Sequence, residues 1–200
     1  LLYWRGAGLF SNAIRMAQRM AGHDDEAADI SHVGMAIWAD DIGSHPLWPV
    51  DDWRMPGRLL TFESTTLNEV PDAITGAHIQ GVSLVPLTDK WRAYDGWLEV
   101  RHLRNAPAKF QPALLDFIQA THGRPYEKSG LRLLASVISA SRNWIEKDMT
   151  TMFCSETVRE ALQACGCLVD GSEGTDSKCP AEIYRIDALM KSPAHYLPSI

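Results

Sequence analysis

The chain of 200 residues has no apolar run approaching the ~20 residues needed to cross a bilayer, which excludes a helical membrane protein. Cysteine is scarce. The four residues Cys154, Cys165, Cys167 and Cys179 all lie in the last quarter, and a chain this long is not a disulfide scaffold. Cys165 and Cys167 are too close to be expected partners of each other. One bridge from either to Cys179 stays open, with reduced thiols the simpler expectation. Positive charge is in deficit: Lys plus Arg is 19 against Asp plus Glu at 25, a formal net charge of -6. Non-specific nucleic-acid binding draws on a surplus of positive charge, so no nucleic-acid partner is expected.

Several motifs are also missing. There is no phosphate loop, no G-x-G-x-x-G, no G-x-S-x-G elbow, no H-E-x-x-H and no C-x-x-C, and no cofactor is expected. Cys165, Cys167 and Cys179 offer three thiolates to a structural zinc, but no fourth ligand is evident, so the expectation is no metal. Leu1–Arg5 has neither an initiating Met nor a long apolar core, and reads as a strand rather than a signal peptide, with residues expected upstream.

What is present is the composition of an ordinary soluble domain, 46% hydrophobic and 22% charged. That is too apolar for wholesale disorder. Seven Trp and eleven Pro against five Phe suggest irregular loops packed down by indoles. Leu9, Ala13, Met16, Ala17 and Met20 keep a helical period, and residues 23–29 read as an acidic loop. Alternation predicts strands over residues 30–38, 59–64, 79–87 and 97–103. In the first, Val33, Met35 and Ile37 share one face and His32, Gly34 and Ala36 the other. The Trp- and Pro-bearing stretch from Asp40 to Gly57 is a long connection in which Trp48 and Trp53 either flank a groove or pack. Helical spacing recurs at Phe110, Leu114, Phe117 and Ile118, and again at Leu131, Leu134, Ile138 and Ile145. A further helix runs from Phe153 to Cys165 and ends at Gly166, and a short one opens at Pro180 and runs to Met190. Residues 170–179 read as a mobile polar loop. The expectation is one α+β domain over residues 1–200.

Three residues make chemical sense together. Cys154 opens a predicted helix, where the macrodipole and free N–H groups favour thiolate and can stabilise an oxyanion. The alternative is a buried, inert thiol. His32, among the small residues Ser31, Gly34 and Ala36 that leave room for a substrate or a helix, can take a proton from a thiol and return it to a leaving group. Its alternative is a strand-end histidine bonded to a carbonyl. Glu63, on the next predicted strand, can fix an imidazole's tautomer and orientation. Its alternative is a solvated glutamate.

Ser31-His32-Val33-Gly34-Met35, Phe62-Glu63-Ser64, Gly123-Arg124-Pro125-Tyr126 and Phe153-Cys154-Ser155-Glu156 together resemble the circularly permuted papain-like branch of the NlpC/P60 superfamily, in particular its YiiX-like group. The opening Tyr3-Trp4-Arg5-Gly6 with Gly8 is similar to that group's start. The resemblance covers residues 1–165. It implies a small antiparallel sheet or half-barrel packed against helices, with Cys154 as nucleophile, His32 as base and acid, and Glu63 as the orienting group. Tyr126 matches a tyrosine that lines the pocket or donates to the oxyanion, with packing as its alternative. The Gly-Asp pair that commonly precedes the family's first strand is absent.

The resemblance implies a thiol hydrolase acting through an acyl-enzyme, first on peptides or peptidoglycan fragments, with acyl lipids as the alternative substrate. From a different class, a non-catalytic module binding amines or peptides on the same fold remains open, as does a structural or virion-associated protein. Reduced thiols favour an intracellular setting, with export by a segment outside this sequence as the alternative.

Overall fold

A computed structural model describes residues 1–43, 57–67, 69–103, 106–126, 153–168, 179–186 and 195–198. Six antiparallel strands form its sheet: β1 (Leu2–Gly6), β2 (His32–Trp38), β3 (Leu59–Thr65), β4 (Gly81–Pro86), β5 (Gly96–Val100) and β6 (His195–Pro198), in the spatial order β4-β3-β2-β1-β5-β6. The helices are α1 (Leu9–Met20), α2 (Asp25–Ala28), α3 (Ala39–Gly43), α4 (Leu87–Ala93), α5 (Phe110–Thr121), α6 (Cys154–Ala164) and α7 (Pro180–Tyr184). The α+β expectation holds. None of these helices is long and apolar enough to cross a membrane. The predicted helix around Leu131–Ile145, the mobile loop over 170–179 (up to Lys178), and Trp48 and Trp53 lie outside the described residues.

Strand alternation sorts side chains onto two faces. Tyr3, Val33, Met35, Ile37, Leu60, Phe62, Val82 and Leu84 belong to the larger core, closed by Leu114, Leu115 and Ile118 of α5 and by Val158, Ala161 and Leu162 of α6. On the other face Leu2, Trp4 and Leu98 meet Tyr94, with Leu87 and Trp91 packed alongside. The chain leaves β4 at one edge and re-enters beyond β1 as β5, so α4 crosses this second face and was not foreseen from the sequence. β2 is shared between two ladders: His32–Gly34 pair with β1, and Met35–Trp38 pair with β3.

Four expectations need correction: the helix that opens at Pro180 ends at Tyr184 rather than Met190, residues 40–43 of the expected connection belong to α3, and two more concern α1 and the acidic stretch. Helix α1 has the expected bounds, but Leu9, Met16 and Met20 are exposed and the buried positions are Ile14, Ala17 and Gln18. The Gln18 amide donates to the carbonyls of Ala28 and Ile30 and accepts from the Ala181 N–H. A polar side chain with three buried partners outranks hydrophobic spacing here. The acidic stretch 23–29 is not all loop, because Asp24 caps the turn of α2 by accepting from Ala27 N at 2.9 Å.

Two strand starts are pinned by backbone approach. Gly96 (φ 152°) opens β5, and a Cβ there would stand 2.1 Å from the Arg5 carbonyl oxygen; Gly81 (φ 150°) opens β4 in the same relation to Arg124 at 2.0 Å. Such conformations are open essentially to glycine alone. Gly96→Ala is expected to lose about 1–3 kcal/mol of stability, measured as a lower urea midpoint. An unchanged midpoint would mean that the β1–β5 junction yields.

Candidate active site

His32 is the first residue of β2, and its backbone is set by the strand before it: the Ser31 N–H donates to the Trp4 carbonyl, and Ser31 Oγ accepts from Gly6 N at 2.9 Å. The β2–β3 register pairs Met35 with Phe62. Continued by one residue it sets Gly34 opposite Glu63, with His32 as the diagonal neighbour on the same face. Gly34 has no side chain to intervene; a Cβ there would stand 3.4 Å from the Glu63 Cβ and 3.1 Å from the Phe62 carbonyl. The space expected at Gly34 for a substrate or a helix is therefore occupied by β3 itself. Through that gap Glu63 Oε2 meets His32 Nε2 at 2.6 Å.

Glu63 is fully buried, and its other oxygen lies 2.8 Å from Lys90 Nζ. Lys90 is 3% exposed and comes from α4, the helix crossing this face. It was missed in the sequence. The available signal was a lysine inside the apolar spacing Leu87, Trp91, Tyr94. Burial alone would raise the Glu63 pKa, but the Lys90 and His32 charges and their hydrogen bonds hold the carboxyl well below the usual range. Glu99 is also fully buried, but it faces Arg5 at 3.0 Å and Arg101 at 2.5 Å. Of these two buried glutamates, Glu63 is the one bonded to an imidazole.

Cys154 is the first residue of α6, behind an extended N-cap, Phe153, with φ -82° and ψ 161°. The first-turn N–H groups of a helix have no intrahelical partner and carry its positive end. The Cys154 sulfur lies near enough to the His32 ring for its charge to act on the imidazole. With Nε2 committed to Glu63, Nδ1 is the ring nitrogen left to serve the sulfur. Burial would lower the His32 pKa; the negative charges of Cys154 and Glu63 outweigh it and lift it from 6.5 to about 9. A sulfur, an imidazolium, a carboxylate and an ammonium thus form one chain across the sheet. Tyr94 stands beside it as a neutral phenol, its pKa raised by burial, with its hydroxyl 3.4 Å from Ser31 Oγ.

The structure brings Cys154, His32 and Glu63 together as the sequence suggested. Tyr126 adjoins them through a neighbour: its buried ring packs edge-to-face on Phe153, with centroids 5.8 Å apart. The other three cysteines are free thiols. Burial pushes Cys165 and Cys179 up to about 12 and raises Cys167 as well. Two surface pockets of about 470 and 480 Å³ lie elsewhere, around Arg5–Trp97 and Trp38–Arg92, and neither is lined by Cys154, His32 or Glu63. No family model and no curated protein matches the chain.

Because the His32 pKa is raised on folding, its stabilisation is complete below 6.5 and is lost as pH rises through about 9. Glu63 is depressed, so its contribution is complete above 4.5 and is lost on acidification. The His32 ring is expected to titrate by NMR near pH 9 and at a lower pH in Cys154→Ala, whose sulfur charge is gone; an equal midpoint in the two proteins would remove the coupling. Lys90→Met is expected to lose about 3 kcal/mol in urea melts at pH 6, the low end of breaking a buried ion pair, since His32 still faces the carboxylate.

Proposed function

We propose that the protein is a cysteine-dependent hydrolase with a permuted papain-like, NlpC/P60-type arrangement, cleaving an amide or ester bond through an acyl-enzyme. The observation that carries this is the buried chain from Cys154 through His32 to Glu63. A catalytic thiol needs an imidazole to move its proton, and the imidazole needs a fixed orientation. Glu63, clamped by Lys90, supplies that orientation.

In the proposed reaction the Cys154 thiolate attacks the carbonyl carbon, and the negative charge passes to the carbonyl oxygen at the N-terminus of α6, where first-turn N–H groups stabilise it. The tetrahedral species collapses as His32 gives its proton to the departing nitrogen or oxygen, leaving a thioester on Cys154. Neutral His32 then takes a proton from water, the hydroxide attacks the thioester, and the acid product leaves with the thiolate restored. Tyr126 is assigned to the wall of this site, next to Phe153.

The resemblance in sequence makes cell-wall stem peptides the first substrate class. Acyl lipids are the second reading, and one observation favours them: Leu9, Phe10, Met16 and Met20 of α1 are between 51% and 90% exposed, an apolar side of a kind associated with lipid or protein contact.

Exposure and reactivity make different orderings of the four thiols. Cys167 is the most exposed, while Cys154 is only 5% exposed. Iodoacetamide is expected to label Cys154 roughly tenfold faster than the others, as thiolate character dictates, and that advantage is expected to vanish in His32→Ala. Equal labelling of all four, or labelling led by Cys167, would overturn the proposal. Incubation with a peptidoglycan digest and with a lipid panel, followed by mass spectrometry, is expected to give an acyl adduct on Cys154 from one of the two. On the substrate so found, His32→Ala is expected to lower kcat/KM by about 10²–10⁴-fold.

A further inference from the structure

The sequence groups Cys179 with Cys165 and Cys167, but the fold gives it other company. His23 lies in the turn after α1, and Cys179 is the N-cap of α7, 156 residues later; the ring's Nε2 stands 3.6 Å from the Cys179 sulfur. One helical step on, Glu182 Oε2 accepts the Cys179 N–H at 3.1 Å. The ligand atoms of His23, Cys179 and Glu182 all lie within 4.8 Å of one another.

We infer that His23, Cys179 and Glu182 form a binding site for a zinc-type divalent transition-metal ion, with one sulfur, one imidazole nitrogen and one carboxylate oxygen as ligands. In a tetrahedral zinc site the usual bond lengths put a thiolate sulfur and an imidazole nitrogen about 3.6 Å apart, the separation found here. The donor set is selective: a thiolate beside an imidazole suits zinc, cobalt or copper and is a poor match for magnesium or calcium. Three protein ligands leave a fourth position for water.

A hydrogen bond to sulfur is a weak use of this imidazole, whose Nδ1 is also buried with no hydrogen-bond partner among the described residues. Binding exchanges one bond for another. The S–H bond of Cys179 breaks, a sulfur–metal bond forms, and the proton leaves to solvent.

The ion would act as a staple. His23 and Cys179 belong to the two regions that Gln18 already joins through Ala181, so metal at this point fastens the α1–α2 turn to α7. It takes no part in the chemistry assigned to Cys154, and the two readings stand or fall separately.

Cobalt(II) added to the chelator-treated full-length protein under anaerobic conditions tests this. One equivalent is expected to give a thiolate-to-cobalt charge-transfer band with the visible bands of tetrahedral cobalt, bleached by one equivalent of zinc. The bands should persist in Cys154→Ser and Cys165→Ser and disappear in Cys179→Ser. His23→Gln, which keeps the Cys179 thiol and a polar side chain in the turn, should weaken binding by roughly tenfold or more. The inference is overturned if the wild-type protein shows no charge-transfer band, if the band survives Cys179→Ser, or if His23→Gln binds as tightly as wild type.

Discussion

A carboxylate with no access to water sits at the centre of this molecule. Left alone in the interior, the ionised Glu63 side chain would be far too costly to tolerate. It is offset by two cations that come from opposite directions in the chain, His32 at the start of β2 and Lys90 on the crossing helix α4. Each requirement constrains the fold. His32 can reach Glu63 only in one β2–β3 register and only past a glycine, and a slip of one residue would turn Glu63 into the opposite core. Lys90 can reach it only if the chain passes from β4 to β5 beneath the second face.

The same carboxylate connects the two halves of the candidate site. Helix α6 packs against the larger core through Val158, Ala161 and Leu162, whereas Glu63 and Lys90 belong to the other side of the sheet. His32 bridges them because it stands at the strand end, where a ring can address both sides. The split pairing of β2 helps: its first residues are held by β1, and its later ones are held by β3.

Much of this was legible in the sequence because it is local. Period-2 alternation located β2 to β5 to within two or three residues, and helical spacing located α1, α5 and α6. Cys154 announced itself by its place at a helix start, and His32 and Glu63 by lying on neighbouring strands. What escaped depends on pairs that sequence spacing does not encode. Lys90 looks like a surface lysine until its partner 27 residues earlier is known to be buried. The orientation of α1 follows from Gln18 and its bonds to Ala28, Ile30 and Ala181, and a hydropathy pattern assigns such a residue to the outside. β6 escapes as well; it joins the sheet edge through pairing with β5, and a strand of 4 residues is too short to carry a period of its own.

The Gln18 clamp has a consequence for the molecule's exterior. By fixing the roll of α1 about its own axis, one amide turns Met16 and Met20 outward together with Leu9. Thioether chains are unbranched, polarizable and free to change rotamer. Whatever approaches this flank therefore meets a yielding surface that moulds itself to the visitor's contour, on a helix that is itself held rigid.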